Sequence, residues 1–438
     1  MIRLRTAGLI LALLGLWAAP SPAQQDYIDI RNPSLRKIPL AVPVFRVAPD
    51  PNAPLATEAP DRLAGFLDFT SFFNVLDREI HRLDPTRPAP TDVENIQFSD
   101  WNGIGAELLI TGNLRVDGDL VEMELRLFDV IKGEQLVGKR YKGWMRDRDR
   151  ILRRFAGEVF HYLTGSRGVF DTQIAFVSNG TGNKEIFICD FDGSNQRRFT
   201  RHESITLGPA WSSDGKWLAY TSYAQDNPDL YIRRVDGGPG HFFSREGINT
   251  TPAWRPGAFE LAATLSFAGD PDIYLLTGDA KIVRKLTQKW GIDTSPAWSP
   301  DGKRFAFTSS RAGSPQIYVM NADGGGVERL TFQGRYNSQP SWSPEGDRIA
   351  YSAMEDGEIN IHVIDLETRN PARLTYNSGR NESPSWSPDG SLIVFSSTRE
   401  GGGPRLYVMT AFGTDQRKLL DMPGAQTSPS WSPRLSAP

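Results

Sequence analysis

The segment Thr294-Ser295-Pro296-Ala297-Trp298-Ser299-Pro300-Asp301-Gly302-Lys303 decides the fold, because related segments recur along the C-terminal two-thirds of the chain. The shared frame is Pro-(Ala/Ser)-Trp, and its tryptophans are Trp211, Trp254, Trp298, Trp342, Trp386 and Trp431. Successive tryptophans are 43 to 45 residues apart. A period of this length is typical of four-stranded propeller blades.

The residues inside one repeat predict strands rather than helices. After Trp298 come two runs that alternate apolar and small polar residues, 304–310 and 316–319, and a short third run, 328–331. The turn Ser299-Pro300-Asp301-Gly302 links the tryptophan strand to the first run, because proline presets one dihedral and glycine accepts a left-handed one. Such Asp-Gly pairs lack the clustered carboxylates of a calcium loop, so we interpret them as turns.

The phase of the repeat predicts how the ring closes. Three strand-like runs, 173–179, 185–190 and 197–200, precede Trp211 without a tryptophan strand of their own. The segment around Trp431 is a tryptophan strand with no runs behind it. The two fragments complement each other, so we expect a six-bladed all-β propeller with four antiparallel strands per blade, closed by the C-terminal strand.

The residues before the repeats predict a small α/β domain, giving a multidomain chain of signal peptide 1–23, N-terminal domain 24–165 and propeller 166–438. The expected elements are a strand at 37–47, a helix at 57–70 capped by Thr57, a short helix at 99–105, a meander of strands at 107–116, 120–130 and 135–142, and a helix at 146–163. Residues 165–168 are the expected linker.

The N-terminus and the composition restrict where the protein works. Arg3 and Arg5 precede an apolar run at 7–19, and Ser21-Pro22-Ala23 predicts signal-peptide cleavage after Ala23. The run is shorter than the ~20 apolar residues that span a bilayer, so we expect no membrane insertion. The net charge is −3 with cations and acids interleaved, which argues against nucleic acid as a partner. The only cysteine is Cys189, so no intramolecular disulfide forms.

Catalytic patterns are missing from the sequence. There is no Gly-x-Ser-x-Gly elbow, and the five histidines have no metal-type spacing. We therefore expect no enzyme activity, no catalytic residue, no metal and no cofactor. Two alternatives remain open: an enzyme that acts on a peptide or glycan in the central channel, and a scaffold without a specific partner.

The best candidates for function are the connections that lead into the tryptophan strands. Innermost strands begin at one face around the channel, so these segments form a ring rich in hydrogen-bonding groups, suited to a polypeptide partner. The candidate residues are Thr206, Leu207, Asn249, Thr250, Thr251, Asp293, Thr294, Ser295, Asn337, Ser338, Gln339, Asn381, Glu382, Ser383, Gln426, Thr427 and Ser428.

The order of these parts resembles the TolB family, the periplasmic components of the Tol-Pal system. The split first blade and the segment Ile38-Pro39-Leu40-Ala41-Val42-Pro43-Val44-Phe45 carry the resemblance beyond the repeats, whereas Arg255-Pro256-Gly257-Ala258 departs from the Ser-Pro-Asp-Gly turn. The resemblance implies a monomeric periplasmic protein that supports outer-membrane integrity and envelope constriction at cell division.

The same resemblance implies two partners. The peptidoglycan-associated lipoprotein Pal would dock over the propeller mouth, on the ring named above. The inner-membrane protein TolA would bind the mature N-terminal segment, which here comprises Gln24, Gln25, Asp26, Tyr27, Ile28, Asp29, Ile30 and Arg31.

Overall fold

The computed structural model describes residues 36–80 and 90–435, so the predicted signal peptide and the predicted TolA-binding segment, residues 24–31, lie outside the described residues. The N-terminal domain comprises β1 (Ile38–Ala41), β2 (Arg46–Ala48), α1 (Leu55–Phe69), β3 (Phe73–Val75), α2 (Phe98–Gly103), β4 (Leu108–Asp117), β5 (Leu120–Asp129), β6 (Glu134–Trp144) and α3 (Arg148–Thr164). Its sheet has the order β3-β1-β4-β5-β6, and β2 pairs with β4.

Alternation along the strands divides the apolar residues of this sheet between its two faces. Leu40 and Ile110 belong to the main core, which also contains Phe155 of α3. Their neighbours Ala41 and Leu109 belong to a separate core with Trp101 of α2. The sheet is therefore covered by apolar contacts with helices on both faces.

The structure corrects three details of the predicted N-terminal domain. The strand expected at 37–47 is interrupted between Ala41 and Arg46, because the backbone N–H of Phe45 donates to the carbonyl of Ala56 in α1 rather than to a strand. Thr57 does not cap α1, which begins at Leu55, and its hydroxyl donates to the carbonyl of Pro54. Strand β3 was not predicted.

The C-terminal part is a propeller of six four-stranded sheets, which we number as blades 1 to 6. Blade 1 comprises β7 (Gln173–Thr181), β8 (Asn183–Asp190), β9 (Arg197–Arg198) and β30 (Gln426–Trp431). Blade 2 comprises β10 (Thr206–Trp211), β11 (Trp217–Ser222), β12 (Asp229–Arg234) and β13 (His241–Phe243). Blade 3 comprises β14 (Asn249–Trp254), β15 (Glu260–Leu265), β16 (Asp272–Thr277) and β17 (Ile282–Lys285).

The remaining three blades repeat this arrangement of one inner strand followed by three outer ones. Blade 4 comprises β18 (Asp293–Trp298), β19 (Arg304–Ser309), β20 (Gln316–Asn321) and β21 (Glu328–Arg329). Blade 5 comprises β22 (Tyr336–Trp342), β23 (Arg348–Glu355), β24 (Glu358–Asp365) and β25 (Pro371–Arg373). Blade 6 comprises β26 (Asn381–Trp386), β27 (Leu392–Ser397), β28 (Arg405–Thr410) and β29 (Arg417–Lys418).

The repeated tryptophan joins each blade to the one before it. Trp298 of blade 4 is buried in a core that includes Leu275 and Leu286 of blade 3. Its indole N–H also donates to the carbonyl of Ala253 at 3.1 Å. Each repeated tryptophan is buried against the preceding blade, so every interface between neighbouring blades contains one.

The turns after the tryptophans have the predicted chemistry. Gly302 has a φ of +64°, and the hydroxyl of Ser299 donates to Asp301 Oδ1 at 2.6 Å. The backbone N–H of Lys303 donates to the same carboxylate oxygen at 3.1 Å. The carboxylate of Asp301 is therefore used to hold the turn.

The ring closes as predicted, through pairing of the two ends of the propeller sequence. Strand β30 runs antiparallel to β7, with Thr427 opposite Val177 and Trp431 opposite Ile174. The backbone N–H of Ser432 donates to the carbonyl of Gln173 at 2.8 Å, which extends the pairing past the strand end. The fold is therefore a small α/β domain followed by a closed six-bladed propeller.

Two ion pairs join the N-terminal domain to the propeller. Lys37 forms an ion pair with Asp415 at 2.9 Å, and Arg153 forms one with Asp190 at 2.6 Å. Asp190 and Asp415 lie where the third strands of blades 1 and 6 turn into the fourth. Third strands run parallel to inner strands, so these turns lie on the face where the inner strands end. The opposite face, where inner strands begin, is called the mouth below.

Candidate functional site at the propeller mouth

Each inner strand has the same bulge near the mouth. The three residues before its proline form what we call the polar triplet, whose third residue has a positive φ of 49° to 58°, and the register with the second strand shifts at this point. The polar triplet begins at the first residue of each inner strand except β22, where it begins at the second residue, Asn337. Proline has no N–H to donate, so the strand cannot keep its ladder there and a bulge results. The six left-handed residues are Gly208, Thr251, Ser295, Gln339, Ser383 and Ser428.

The first residue of each polar triplet lies under the surface of the mouth rather than on it. The amide of Asn249 donates to Asp229 Oδ1 at 3.3 Å and to the carbonyl of Arg245 at 2.8 Å, and thereby connects blade 3 to blade 2. These side chains are buried by the neighbouring blade, so they are not available to a partner. They are Thr206, Asn249, Asp293, Asn337, Asn381 and Gln426.

Asp293 is the ionisable member of this buried set. Arg311 donates to its Oδ2 at 2.8 Å, while its other carboxylate oxygen has no hydrogen-bond partner among the described residues. Burial raises the pKa of the Asp293 carboxyl, against the opposing effects of Ser309 and Arg311. The Arg311–Asp293 pair is therefore part of the interior and serves as a structural contact at the mouth.

The second and third residues of the polar triplets surround the channel opening. Hydrogen bonds run from blade to blade here: the N–H of Ser295 donates to Thr251 Oγ1 at 3.3 Å, and the N–H of Ser383 donates to Gln339 Oε1 at 3.0 Å. Ser338 is buried. The other second and third positions are partly exposed: Leu207, Thr250, Thr251, Thr294, Ser295, Gln339, Glu382, Ser383, Thr427 and Ser428. The structure thus brings the predicted residues together, but only this subset reaches the surface.

Apolar side chains that the sequence analysis missed lie around this polar ring. Three are on the loops between blades, namely Trp290, Phe332 and Tyr376, which are 84%, 71% and 59% exposed. Four more come directly before a polar triplet. We call the seven the mouth belt: Ile205, Ile248, Trp290, Ile292, Phe332, Tyr336 and Tyr376.

The sequence contained a signal for the mouth belt. Ile205, Ile248, Ile292 and Tyr336 occupy one repeat position, immediately before the polar triplet, in four successive repeats. An apolar residue at a loop position has no core to enter, so its recurrence indicates a surface function.

Two arginines hold aromatic members of the mouth belt in place. The guanidinium of Arg329 lies 4.8 Å from the ring centre of Phe332, and that of Arg373 lies 4.8 Å from the ring centre of Tyr376. Each arginine also donates through Nε to a loop carbonyl, of Thr331 at 2.6 Å or Thr375 at 2.7 Å. The rings are thus positioned before a partner arrives, which reduces the entropy lost on binding.

The described part of the chain offers little metal-binding or nucleophilic chemistry. Within residues 36–80 and 90–435, no group of three or more His, Cys, Asp or Glu side chains is placed to hold a metal ion. Burial raises the pKa of the Cys189 thiol, which is inaccessible inside blade 1. No helix in these two ranges is long and apolar enough to cross a membrane.

These observations define a class: a two-domain protein in which an α/β domain occupies one side of a closed six-bladed propeller and leaves an apolar-rimmed mouth free on the other. A family model described as the TolB beta propeller domain matches residues 160–435, and one described as the TolB amino-terminal domain matches residues 26–136. The chain belongs to the TolB family.

Individual relatives agree with this assignment. The chain is 59% identical over 431 residues to the Tol-Pal system protein TolB of Desulfosudis oleivorans, covering 98% of each chain. It is 40% identical over 219 residues to the protein of that name from Syntrophus aciditrophicus, covering 48% of each chain. The crystal structure of TolB from Acinetobacter baumannii is similar, with a TM-score of 0.80 and 28% identity, over 91% of this chain and 97% of that one.

Proposed function

We propose that the chain is a non-enzymatic periplasmic component of the Tol-Pal system, which binds a Pal-type lipoprotein at the propeller mouth and TolA through residues 24–31. In this role it supports outer-membrane integrity and the invagination of the envelope during cell division. The relative that covers 98% of the chain is named a Tol-Pal system protein, which supports the system-level assignment.

The mouth belt is the observation that carries the Pal-binding part of the proposal. Exposed aromatic side chains around a polar centre are typical of protein-binding surfaces, in which a few large residues supply most of the binding free energy. The inter-domain contacts lie on turns of the opposite face, so the N-terminal domain leaves the mouth free. The partly exposed hydroxyls of Thr250, Thr294 and Ser383 can then hydrogen-bond with a loop of the partner inserted at the channel opening.

Calorimetry with the soluble domain of the Pal-type lipoprotein from the same organism tests this part. Replacing Trp290 and Phe332 together by alanine should weaken binding at least tenfold, because each removes a large exposed anchor. Trp144→Ala is the matched control, since Trp144 is 49% exposed but belongs to β6 in the N-terminal domain. If the double variant binds the Pal-type domain as tightly as the parent does, the proposal is wrong. It is also wrong if glycan alone, without a Pal-type protein, retains the protein.

A deletion tests the TolA part separately. Removing residues 24–31 from the mature chain should abolish binding of the TolA C-terminal domain in a pull-down and leave the mouth residues in place. Loss of TolA binding in the Trp290/Phe332 double variant, with the segment intact, would instead assign TolA to the mouth.

A further inference from the structure

A cleft of about 530 Å³ lies at the junction of the two domains, on the side away from the mouth. Its walls come from α3, β6, the linker before blade 1 and the tail that follows β30. This volume is within the ~300 to 1,000 Å³ that is usual for sites of organic ligands. None of the mouth residues lines the cleft.

The cleft has an excess of cations, although the whole chain carries a net charge of −3. Its cationic side chains outnumber its three acidic ones, Asp147, Glu158 and Asp171, and they are Lys142, Arg150, Arg154, Arg167 and Arg434. Both domains contribute to this set.

Two of the acids are already paired. Asp147 is 3.4 Å from Arg150, and Glu158 is 3.3 Å from Lys139, which lies outside the cleft. Within the described residues, Arg154, Arg167 and Arg434 form no ion pair within 4 Å, and neither does the third acid, Asp171. Five cations against three acids leave the cleft with an excess of two positive charges.

Uncharged side chains also line the cleft. Tyr141 lines the cleft, and its buried hydroxyl has no hydrogen-bond partner among the described residues. Burial raises the pKa of Tyr141 to about 12, so the hydroxyl stays protonated near neutral pH. Ile151 and Leu435 add an apolar wall.

Arg434 is held in place by the linker. Its Nε donates to the carbonyl of Gly168 at 3.1 Å, and its Nη2 donates to Ser166 Oγ at 3.0 Å. These acceptors are uncharged, so they orient the guanidinium without neutralising it.

We propose that this junction cleft binds an organic oxyanion, a molecule that carries a carboxylate or a phosphate on a carbon body. Guanidinium groups recognise both oxyanions through paired hydrogen bonds. A bare inorganic ion would leave most of 530 Å³ and the apolar wall unused. Such a ligand contacts both domains and therefore stabilises their junction.

Isothermal titration of the full mature chain at low salt tests the proposal, with glycerol 3-phosphate, succinate, inorganic phosphate and glycerol as probes. We expect at least one of the two organic anions to bind, more tightly than inorganic phosphate, and glycerol not to bind. Binding of glycerol 3-phosphate alone identifies a phosphate ester as the ligand class, and binding of succinate alone identifies a carboxylate. Binding should weaken in high salt, because all five cations are exposed to solvent.

Substitutions inside and outside the cleft test whether the anion binds there. Arg154→Gln combined with Arg434→Gln should weaken binding of the organic anion at least tenfold, whereas Arg140→Gln on the same strand as Tyr141 should not, since Arg140 does not line the cleft. Unchanged circular dichroism and unchanged Pal binding confirm that the double variant is folded and that the mouth is unaffected. The proposal is overturned if no organic anion binds, if inorganic phosphate binds equally well, or if the double variant binds as the parent does.

Discussion

Trp431, on the last strand of the propeller, lies opposite Ile174 on its first, and the Trp431 indole N–H donates to the Thr172 hydroxyl at 2.8 Å. The pair joins residues that are 257 positions apart in sequence and turns an open row of blades into a ring. The end of the propeller sequence thereby supplies the inner strand of blade 1, and its beginning supplies the other three strands.

Deleting residues 425–438 should therefore destroy the cooperative unfolding of the propeller. The deletion removes β30, exposes the edge of β7 and takes away the buried Trp431. Thermal unfolding followed by tryptophan fluorescence checks this. Trp431→Phe, which keeps the strand but loses the indole donor, should lower the free energy of unfolding by only about 1 to 2 kcal/mol. A deletion variant with the melting temperature of the parent would show that the ring does not depend on this strand.

Glu185 should make the stability of blade 1 dependent on pH. Burial opposes ionisation of this carboxylate, but donors from Thr200, the backbone N–H of Glu203 and Arg198 outweigh burial and lower its pKa below 4.5. A lowered pKa stabilises the fold above pH 4.5, and the stabilisation disappears as the pH falls through the lowered value.

The Glu185→Gln variant tests this dependence. At pH 7 it should be less stable by about 1.5 to 3 kcal/mol, the usual contribution of hydrogen bonds to a charged group. The difference should shrink as the pH falls below 4.5 in urea unfolding experiments. Glu358→Gln is the control, because the Glu358–Arg373 pair is exposed and its loss should cost less than about 1 kcal/mol. If the variant and the parent differed in free energy of unfolding by the same amount at pH 7 and pH 3, the lowered pKa of Glu185 would be contradicted.

Arg417 should be the most sensitive polar residue of the domain junction. It donates to Ser71 Oγ at 2.9 Å and to the carbonyl of Phe69, and it lies 4.7 Å from the centre of the Phe69 ring. Arg417→Ala should lower the free energy of unfolding by about 2 kcal/mol and speed proteolysis between the domains. Arg369→Ala removes an exposed ion pair with Glu328 and should cost less than about 1 kcal/mol. Equal effects of the two substitutions would argue against a junction role for Arg417.

Replacing Gly208 should show how much the left-handed backbone of the mouth bulge favours glycine. Its φ is +56°, and a Cβ there would have no neighbour within 4 Å, so Gly208→Ala tests conformation alone. We expect a loss of about 1 kcal/mol, because the left-handed region disfavours a side chain. Gly65 in α1 has equally open space, yet Gly65→Ala should stabilise the protein by up to about 1 kcal/mol, since alanine favours a helix. Denaturant unfolding measures both variants. If both substitutions change the free energy of unfolding in the same direction, this reasoning is wrong.

Much of the fold could be predicted because its signals are local and repeated. The Pro-(Ala/Ser)-Trp frame and the Ser-Pro-Asp-Gly turn recur with one period, and a period of this length is typical of propeller blades. The N-terminal domain was less predictable. The N–H of Phe45 leaves the sheet for the Ala56 carbonyl, a contact that no periodicity encodes.

The candidate site was only partly predictable, because exposure depends on neighbouring blades. Asn249 and Thr250 are adjacent polar residues in the sequence, yet Asn249 is buried by Asp229 and Arg245 of the previous blade while Thr250 stays partly exposed. In the same way Trp290 resembles a core residue by composition, but its loop carries it into solvent.

The sequence by itself determined the number of blades, the strand order and the closure, because backbone pairing and tryptophan burial follow from a regular pattern of side chains. Only the tertiary structure decided which polar residues reach the mouth, which apolar residues surround it, and that five cationic side chains meet in one cleft between the domains. Those properties depend on distances between segments far apart in the chain, and such distances exist only after the ring has closed and the α/β domain has docked on its far side.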